Sequence, residues 1–309
     1  MSGKLDRGFE SHPLRNDLSI HGQKIFMRKE LIISIFAVLF LIGLVCFAFP
    51  KPQNTQSFSI ILSPHFDDAV LSLGGLMAKR ENQTLVATFF GGKPAVVMHT
   101  DWDIRSGFSD SDDAILMRES ENRSALAPFS ATIKNYGYLD FQYGESRNDE
   151  QNRELRENIT RDIESIISEN HGRQIFVYGP AVFGSETVHP DHQALYDAFV
   201  TAIKRNAQPN VRFFIYEDFT SIYKFVKTGM GKASDYPGNP DSASERTIIG
   251  LTESELGEKI KAVEAYKSQV ASFKSTGDDI GSLIEEFYRE RCGDIAPPTY
   301  ACEIVYNEN

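Results

Sequence analysis

Two short stretches hold residues that could do chemistry together. After an apolar run (FSIIL, 58–62) comes Ser63-Pro64-His65-Phe66-Asp67-Asp68, an imidazole and two carboxylates close together. Such a set can supply both metal ligands and a base. The alternative is an Asp pair capping the next helix, because Asp is a favoured N-cap. The second stretch is Val188-His189-Pro190-Asp191-His192, with Pro190 suited to the first turn of a helix. Its two imidazoles, three positions apart, share one side of such a helix. The alternative there is a capped, solvated helix start. His65, Asp68 and His192 together would form an N/N/O ligand set with one position left for water, the pattern of a catalytic rather than a structural zinc.

The surrounding pattern says what positions these residues. Apolar, β-rich runs at 58–62, 85–90, 131–136, 174–178 and 211–216 read as strands. Helical patterns at 69–79, 114–126, 151–169 and 190–205 alternate with them, and two more follow at 253–272 and 280–291. Strands alternating with helices predict a mostly parallel sheet covered on both faces. In such a sheet ligands bind at the carboxyl ends of strands, where both stretches lie. Residues 91–113 read as a loop. Residues 219–247, rich in Gly, Ser, Pro and Asp, read as a long connection that is either a lid over the site or a passive loop. There is no internal repeat and no second globular domain.

The residues also resemble a known family. His65-x-Asp67-Asp68 with Ala69-Val70-Leu71-Ser72-Leu73-Gly74-Gly75, together with His189-Pro190-Asp191-His192, is similar to the LmbE-like, or PIG-L, family of zinc-dependent de-N-acetylases. Further matches follow in order: Arg118-x-x-Glu121-x-x-x-Ala125, Tyr216-Glu217-Asp218 and Tyr266-x-Ser268-Gln269. The resemblance implies a Rossmann-like three-layer α/β/α fold, one Zn²⁺ per chain, and hydrolysis of the N-acetyl group of an N-acetylhexosamine unit in a glycan or glycolipid. It makes His65, Asp68 and His192 the metal ligands and Asp67 the general base. His189 becomes the residue that stabilises the oxyanion or protonates the leaving amine. Arg118, Asp140 and Glu217 are candidates for contacts to sugar hydroxyls, against the reading of ordinary helix or loop charges. The chain departs from many members at Phe66, where they carry Pro, at Ala69, where they carry Glu, and at Thr187, where some carry Tyr. None of these changes removes a ligand or the base.

Charge and hydropathy set the expected compartment. Residues 31–49 (LIISIFAVLFLIGLVCFAF) carry no charge, and 19 residues at about 1.5 Å each span roughly a bilayer's hydrocarbon core. The run is long for a cleaved signal peptide and is followed by Phe-Pro-Lys-Pro, so an uncleaved signal anchor is expected. Lys24, Arg28 and Lys29 precede it closely, which predicts a cytoplasmic segment 1–30, a transmembrane helix 31–49 and an extracytoplasmic domain 50–309. Cys292 and Cys302 could then form a disulfide. Sequons stand at Asn82, Asn122 and Asn158. The part after residue 49 holds 26 basic and 39 acidic groups, a net of −13, which argues against nucleic acid as a partner.

No Gly-x-Ser-x-Gly elbow and no Walker-type phosphate loop is present, and Gly229-Met230-Gly231-Lys232 is too short for a dinucleotide fingerprint. The rival reading is a membrane-anchored carbohydrate-binding protein that kept the fold and lost the chemistry. An absent metal ligand would favour it, and none is absent.

Overall fold

The chain begins its described course with strand β1 (Phe58–Ser63), every residue of which is buried. A computed structural model describes residues 57–144, 147–182, 189–237, 245–274, 277, 279–293 and 299–308. The expected transmembrane helix at 31–49, and Thr187, lie outside the described residues. Among the described residues no helix is long and apolar enough to cross a membrane.

Helix α1 (Asp68–Ala78) follows β1. Then come β2 (Gln83–Thr88), α2 (Asp101–Arg105), α3 (Ser111–Leu126) and β3 (Thr132–Asn135). The next elements are α4 (Asp149–Glu169), β4 (Ile175–Pro180), α5 (Pro190–Arg205) and β5 (Val211–Tyr216). Last are α6 (Phe219–Lys227), β6 (Glu245–Leu251), α7 (Glu253–Val263), α8 (Lys267–Lys274), α9 (Ile280–Cys292) and β7 (Ala301–Asn307). The seven strands form one sheet in the order β3-β2-β1-β4-β5-β7-β6. The first five are mutually parallel, while β7 runs antiparallel to both β5 and β6.

Alternation along the strands feeds two apolar layers. Ile61 packs in one with Leu71, Phe219 and Tyr288, and Ile60 and Leu62 pack in the other with Ile163 and Phe199. This is the expected three-layer arrangement. The chain leaves β1 toward β2 and β3 and later returns to β4 on its other side. The crevice between the carboxyl ends of β1 and β4 is therefore the switch point at which open α/β sheets bind ligands.

Several expectations need correction. Residues 91–113 contain a short helix, α2, capped by the Thr100 hydroxyl. The late helical pattern is two helices, α7 and α8. The long connection at 219–247 begins as helix α6, because Asp218 accepts from Ser221 N (2.9 Å) as its N-cap and Phe219 and Ile222 are buried. Strands β6 and β7 escaped the sequence reading, and β7 fills an inner position of the sheet.

Helix α1 is kinked at Leu73 (φ −124°, ψ 21°). The backbone groups set free are taken up by a buried pair. Gly75 N and Leu76 N each donate to Glu303 at 2.7 Å, and Lys259 Nζ donates to Ser72 O (3.2 Å) and Glu303 Oε1 (2.7 Å). Only Gly fits here: a Cβ at Gly74 would lie 2.8 Å from Lys259 Cγ, and one at Gly75 would lie 2.3 Å from Leu251 Cδ1. These contacts fix the helix whose first turn carries the ligand candidates. Cys292 and Cys302 are disulfide-bonded, joining the end of α9 to β7. Asn122 is buried and accepts from Tyr266 Oη at 2.9 Å, so this sequon is part of the interior.

Candidate active site and metal centre

The loop after β1 is held from three sides. Ser63 Oγ donates to His65 O (2.5 Å) and accepts from Ala69 N (3.0 Å), Tyr216 Oη donates to Leu62 O (2.9 Å), and Tyr266 Oη donates to Phe66 O (2.9 Å). The motif residues of α3 and α8 meet here as well, with Ser268 N and Oγ donating to Glu121 at 2.9 and 2.6 Å.

His65, Asp68 and His192 come together, all three offering a donor atom within 4.8 Å of the others. Asp68 Oδ2 is 3.2 Å from His65 Nδ1 and 3.3 Å from His192 Nε2. A tetrahedral ion with bonds of about 2.0–2.2 Å sets its donors about 3.3–3.6 Å apart, so these spacings fit one divalent ion of the zinc type. The carboxylate is pinned for this task by His65 N, which donates to the same oxygen at 2.8 Å.

Behind each imidazole stands a further carboxylate. Asp191 Oδ2 lies 3.2 Å from His65 Nε2 and accepts from Phe141 N at 2.8 Å, and Asp218 Oδ2 lies 3.6 Å from His192 Nδ1. Such outer carboxylates fix ring orientation and raise ligand basicity. The sequence reading gave neither a role, although both stand inside quoted motifs.

The charges follow from this packing. Burial opposes a proton on His192, but Asp68 and Asp218 outweigh it and push the imidazole up to about 10. Burial likewise opposes a charged Asp68, and His192 and His65 together still hold it well below the usual carboxylate range. Burial, reinforced by the negative charge of Asp68, pushes Asp67 up to about 7. His189 is pushed down to about 4 by burial and by the neighbouring His65.

Asp67 occupies the N-cap position of α1, yet its carboxylate makes no capping bond. That removes the structural alternative weighed for it. His189 does cap: its Nδ1 accepts from Asp191 N at 3.3 Å at the start of α5. Its ring still lines the same cavity of about 370 Å³ as His65, Asp67, Asp68 and His192.

Arg118 and Asp140 also line this cavity. Arg118 is salt-bridged to Asp103 at 2.8 Å, and its Nε makes no hydrogen bond. Glu217 does not line the cavity and is a correction. It is buried in a forked pair with Arg291 (2.9 and 2.5 Å) and accepts from Tyr306 Oη (2.7 Å). Where the chain leaves the end of β5, Glu217 is bound on Arg291 and Asp218 lies beside His192. Neither lines the cavity, so the sugar contact expected of Glu217 falls away. Much of the wall carried no signal in the sequence, namely Trp102, Phe141, Gln142, Thr220 and Lys224, and Gln269 stood only inside a quoted motif.

The PIG-L: GlcNAc-PI de-N-acetylase family model matches residues 60–203, which include both ligand-bearing stretches. Residues 60–203 thus match a PIG-L (LmbE-like) family domain. PIG-L domains are deacetylase domains, and the site above has the residues of a metal-dependent hydrolase. Solved PIG-L-like structures agree on the fold. The zinc-inhibited form of teicoplanin deacetylase Orf2 matches with TM-score 0.66 and 24% identity over 81% of this chain and 97% of that one. The deacetylase Dbv21, which acts on the A40926 pseudoaglycone, matches with TM-score 0.64 and 25% identity over 82% and 97%. N,N'-diacetylchitobiose deacetylase from Pyrococcus horikoshii matches with TM-score 0.50 and 17% identity over 84% and 87%. A comparison with curated protein sequences finds no match.

Proposed function

We propose that this PIG-L domain is a zinc-dependent de-N-acetylase that removes the acetyl group from an N-acetylhexosamine unit of a glycan or glycolipid. The carrying observation is one cavity holding both a complete His65/Asp68/His192 ligand set and an uncapped Asp67. Zinc held by these three side chains supplies Lewis acidity, polarising an amide carbonyl and acidifying water. Asp67 takes the proton of the water that attacks the acetyl carbon, and passes it toward the departing nitrogen. With a pKa near 7 it is poised between accepting and releasing that proton. His189, neutral with Nδ1 accepting from Asp191 N, faces the same space to hold the developing oxyanion. The bond broken is the amide C–N bond, and the products are acetate and the free amino sugar. Arg118 and Asp140 serve as hydroxyl contacts, while Trp102 and Phe141, 36% and 47% exposed, offer aromatic faces to the C–H side of a sugar ring.

The segment 31–49 anchors the domain, which faces away from the cytoplasm. An acidic domain repels strongly anionic polymers, so a neutral acetylated glycan suits it better. The test is incubation of the full chain with N-acetylglucosamine oligomers and N-acetylhexosamine glycolipids, with and without a chelator. Acetate and free amine should appear in equal amounts, stop on chelation and resume with Zn²⁺. Saturable binding of these glycans by the zinc-loaded protein without release of either product overturns the proposal in favour of a carbohydrate-binding protein.

A further inference from the structure

The cavity of the metal centre has an apolar floor to which the reaction above gives no role. Phe66, Leu71, Phe90 and Ile115 all line the cavity and none is more than 7% exposed, whereas Trp102 and Phe141 on the same wall are far more open to solvent. The floor adjoins a metal ligand, since the Phe90 ring lies 6.3 Å from the ring of His65. Phe66 itself stands between that ligand and the base Asp67 in the chain.

This floor has no room to recede. The tip of the Phe66 ring abuts the backbone at Gly91, where an added Cβ would lie 2.6 Å from Cζ, and Phe66 O accepts from Tyr266 Oη at 2.9 Å. Phe90 N donates to Pro64 O at 2.9 Å, and Leu71 O accepts from Tyr288 Oη at 2.7 Å. In an interior packed this closely, extra methylene groups force side chains off their rotamers.

The chemistry decides which part of the substrate meets the floor. The acyl carbonyl has to reach the metal, so the acyl group enters deepest. A sugar hydroxyl laid against these four side chains would lose its water and gain no hydrogen bond. A methyl group loses nothing there and takes apolar surface out of water. We propose that Phe66, wedged on Gly91 and acting with Phe90 and Ile115, is the specificity-determining residue that limits the acyl group to two carbons. This role rests on the proposed reaction and defines the acyl side of its substrate.

A propionyl group brings one more methylene against the fixed wall. In a hydrophobic pocket that difference is worth about 10- to 200-fold in kcat/KM. The loss falls on kcat as well as KM, because an acyl chain that cannot lie on the floor holds its carbonyl away from the metal and Asp67.

The test offers the zinc-loaded full chain in detergent three sets of glucosamine oligomers, carrying N-acetyl, N-propionyl or N-butyryl groups, with free amine as the readout. From acetyl to propionyl kcat/KM should fall by about 10- to 200-fold, and it should fall again to butyryl. Phe66→Leu should narrow the gap between acetyl and propionyl by about tenfold. Metal analysis and thermal melting of this variant keep misfolding from passing as a change in selectivity, and the wild-type series decides without any variant. Equal kcat/KM for acetyl and propionyl in the wild type overturns the proposal. So does a folded, metal-loaded Phe66→Leu protein that keeps the wild-type ratio. If none of the three is cleaved, the functional reading fails, and calorimetry with the same oligomers decides the pocket: Kd should rise in the same order, and equal or absent binding overturns it.

Discussion

Glu217→Gln separates a substrate contact from a structural one. The side chain keeps its shape, but the charge opposite Arg291 disappears and one acceptor becomes a donor facing a donor. Both partners are buried, with Arg291 and Glu217 side chains 6% and 4% exposed. Removing one member of such a pair costs about 3–5 kcal/mol, mostly because the other charge is left uncompensated. Here the cost falls at the lower end, about 3 kcal/mol, because Arg291 keeps its bonds to Ala233 O and Tyr236 O, both 3.0 Å. For a domain of this size about 1 kcal/mol moves the melting temperature by about 2–4 °C, so a drop of about 6–12 °C is expected in a circular-dichroism melt. The KM for an acetylated glycan should stay unchanged in the folded variant, since Glu217 is outside the cavity. A variant that melts like the wild type but shows a raised KM would refute this reasoning and restore Glu217 as a sugar contact.

Three further outcomes are expected. Asp67→Asn should retain its metal and lose about 10²- to 10⁴-fold in turnover, checked by metal analysis beside kcat, because the amide keeps the shape and loses the base; full turnover would make Asp67 dispensable. Metal uptake should release protons and weaken as pH falls, by about tenfold per unit for each proton displaced, because below about 10 an entering ion must expel the proton of His192. In the metal-free protein the His192 contribution to stability has the matching sign, full below the ordinary imidazole value of 6.5 and lost as pH rises through about 10. Calorimetry in buffers of different ionisation heat checks the release, and pH-independent affinity would contradict it. Protease added to intact cells or spheroplasts should reach the domain after residue 49, and protection of that domain would reverse the proposed topology.

The chemistry was legible in the sequence because both ligand stretches sit at strand ends, where local pattern and fold rule agree. His65, Asp67, Asp68 and His192 fall where β1 and α5 put them, and helix α5 begins at Pro190 as its cap and proline require. Five parallel strands and most helices were readable for the same reason, since hydrophobic periodicity and caps are local signals. What stayed hidden depends on contacts far apart in the chain. Strand β7 reads as an ordinary polar and apolar mixture, and only burial against α1, 228 positions from Glu303 to Gly75, makes that carboxylate part of the helix kink. Glu217 and Asp218 are neighbours of the same charge, and nothing local says which one stands behind a ligand. That choice belongs to Arg291, 74 positions away, which claims Glu217 and leaves Asp218 beside His192. Composition and spacing fix which groups can react. The tertiary structure alone decides which carboxylates are neutralised by a distant partner and which remain free to act, because electrostatic pairing depends on distance in space and not on distance along the chain.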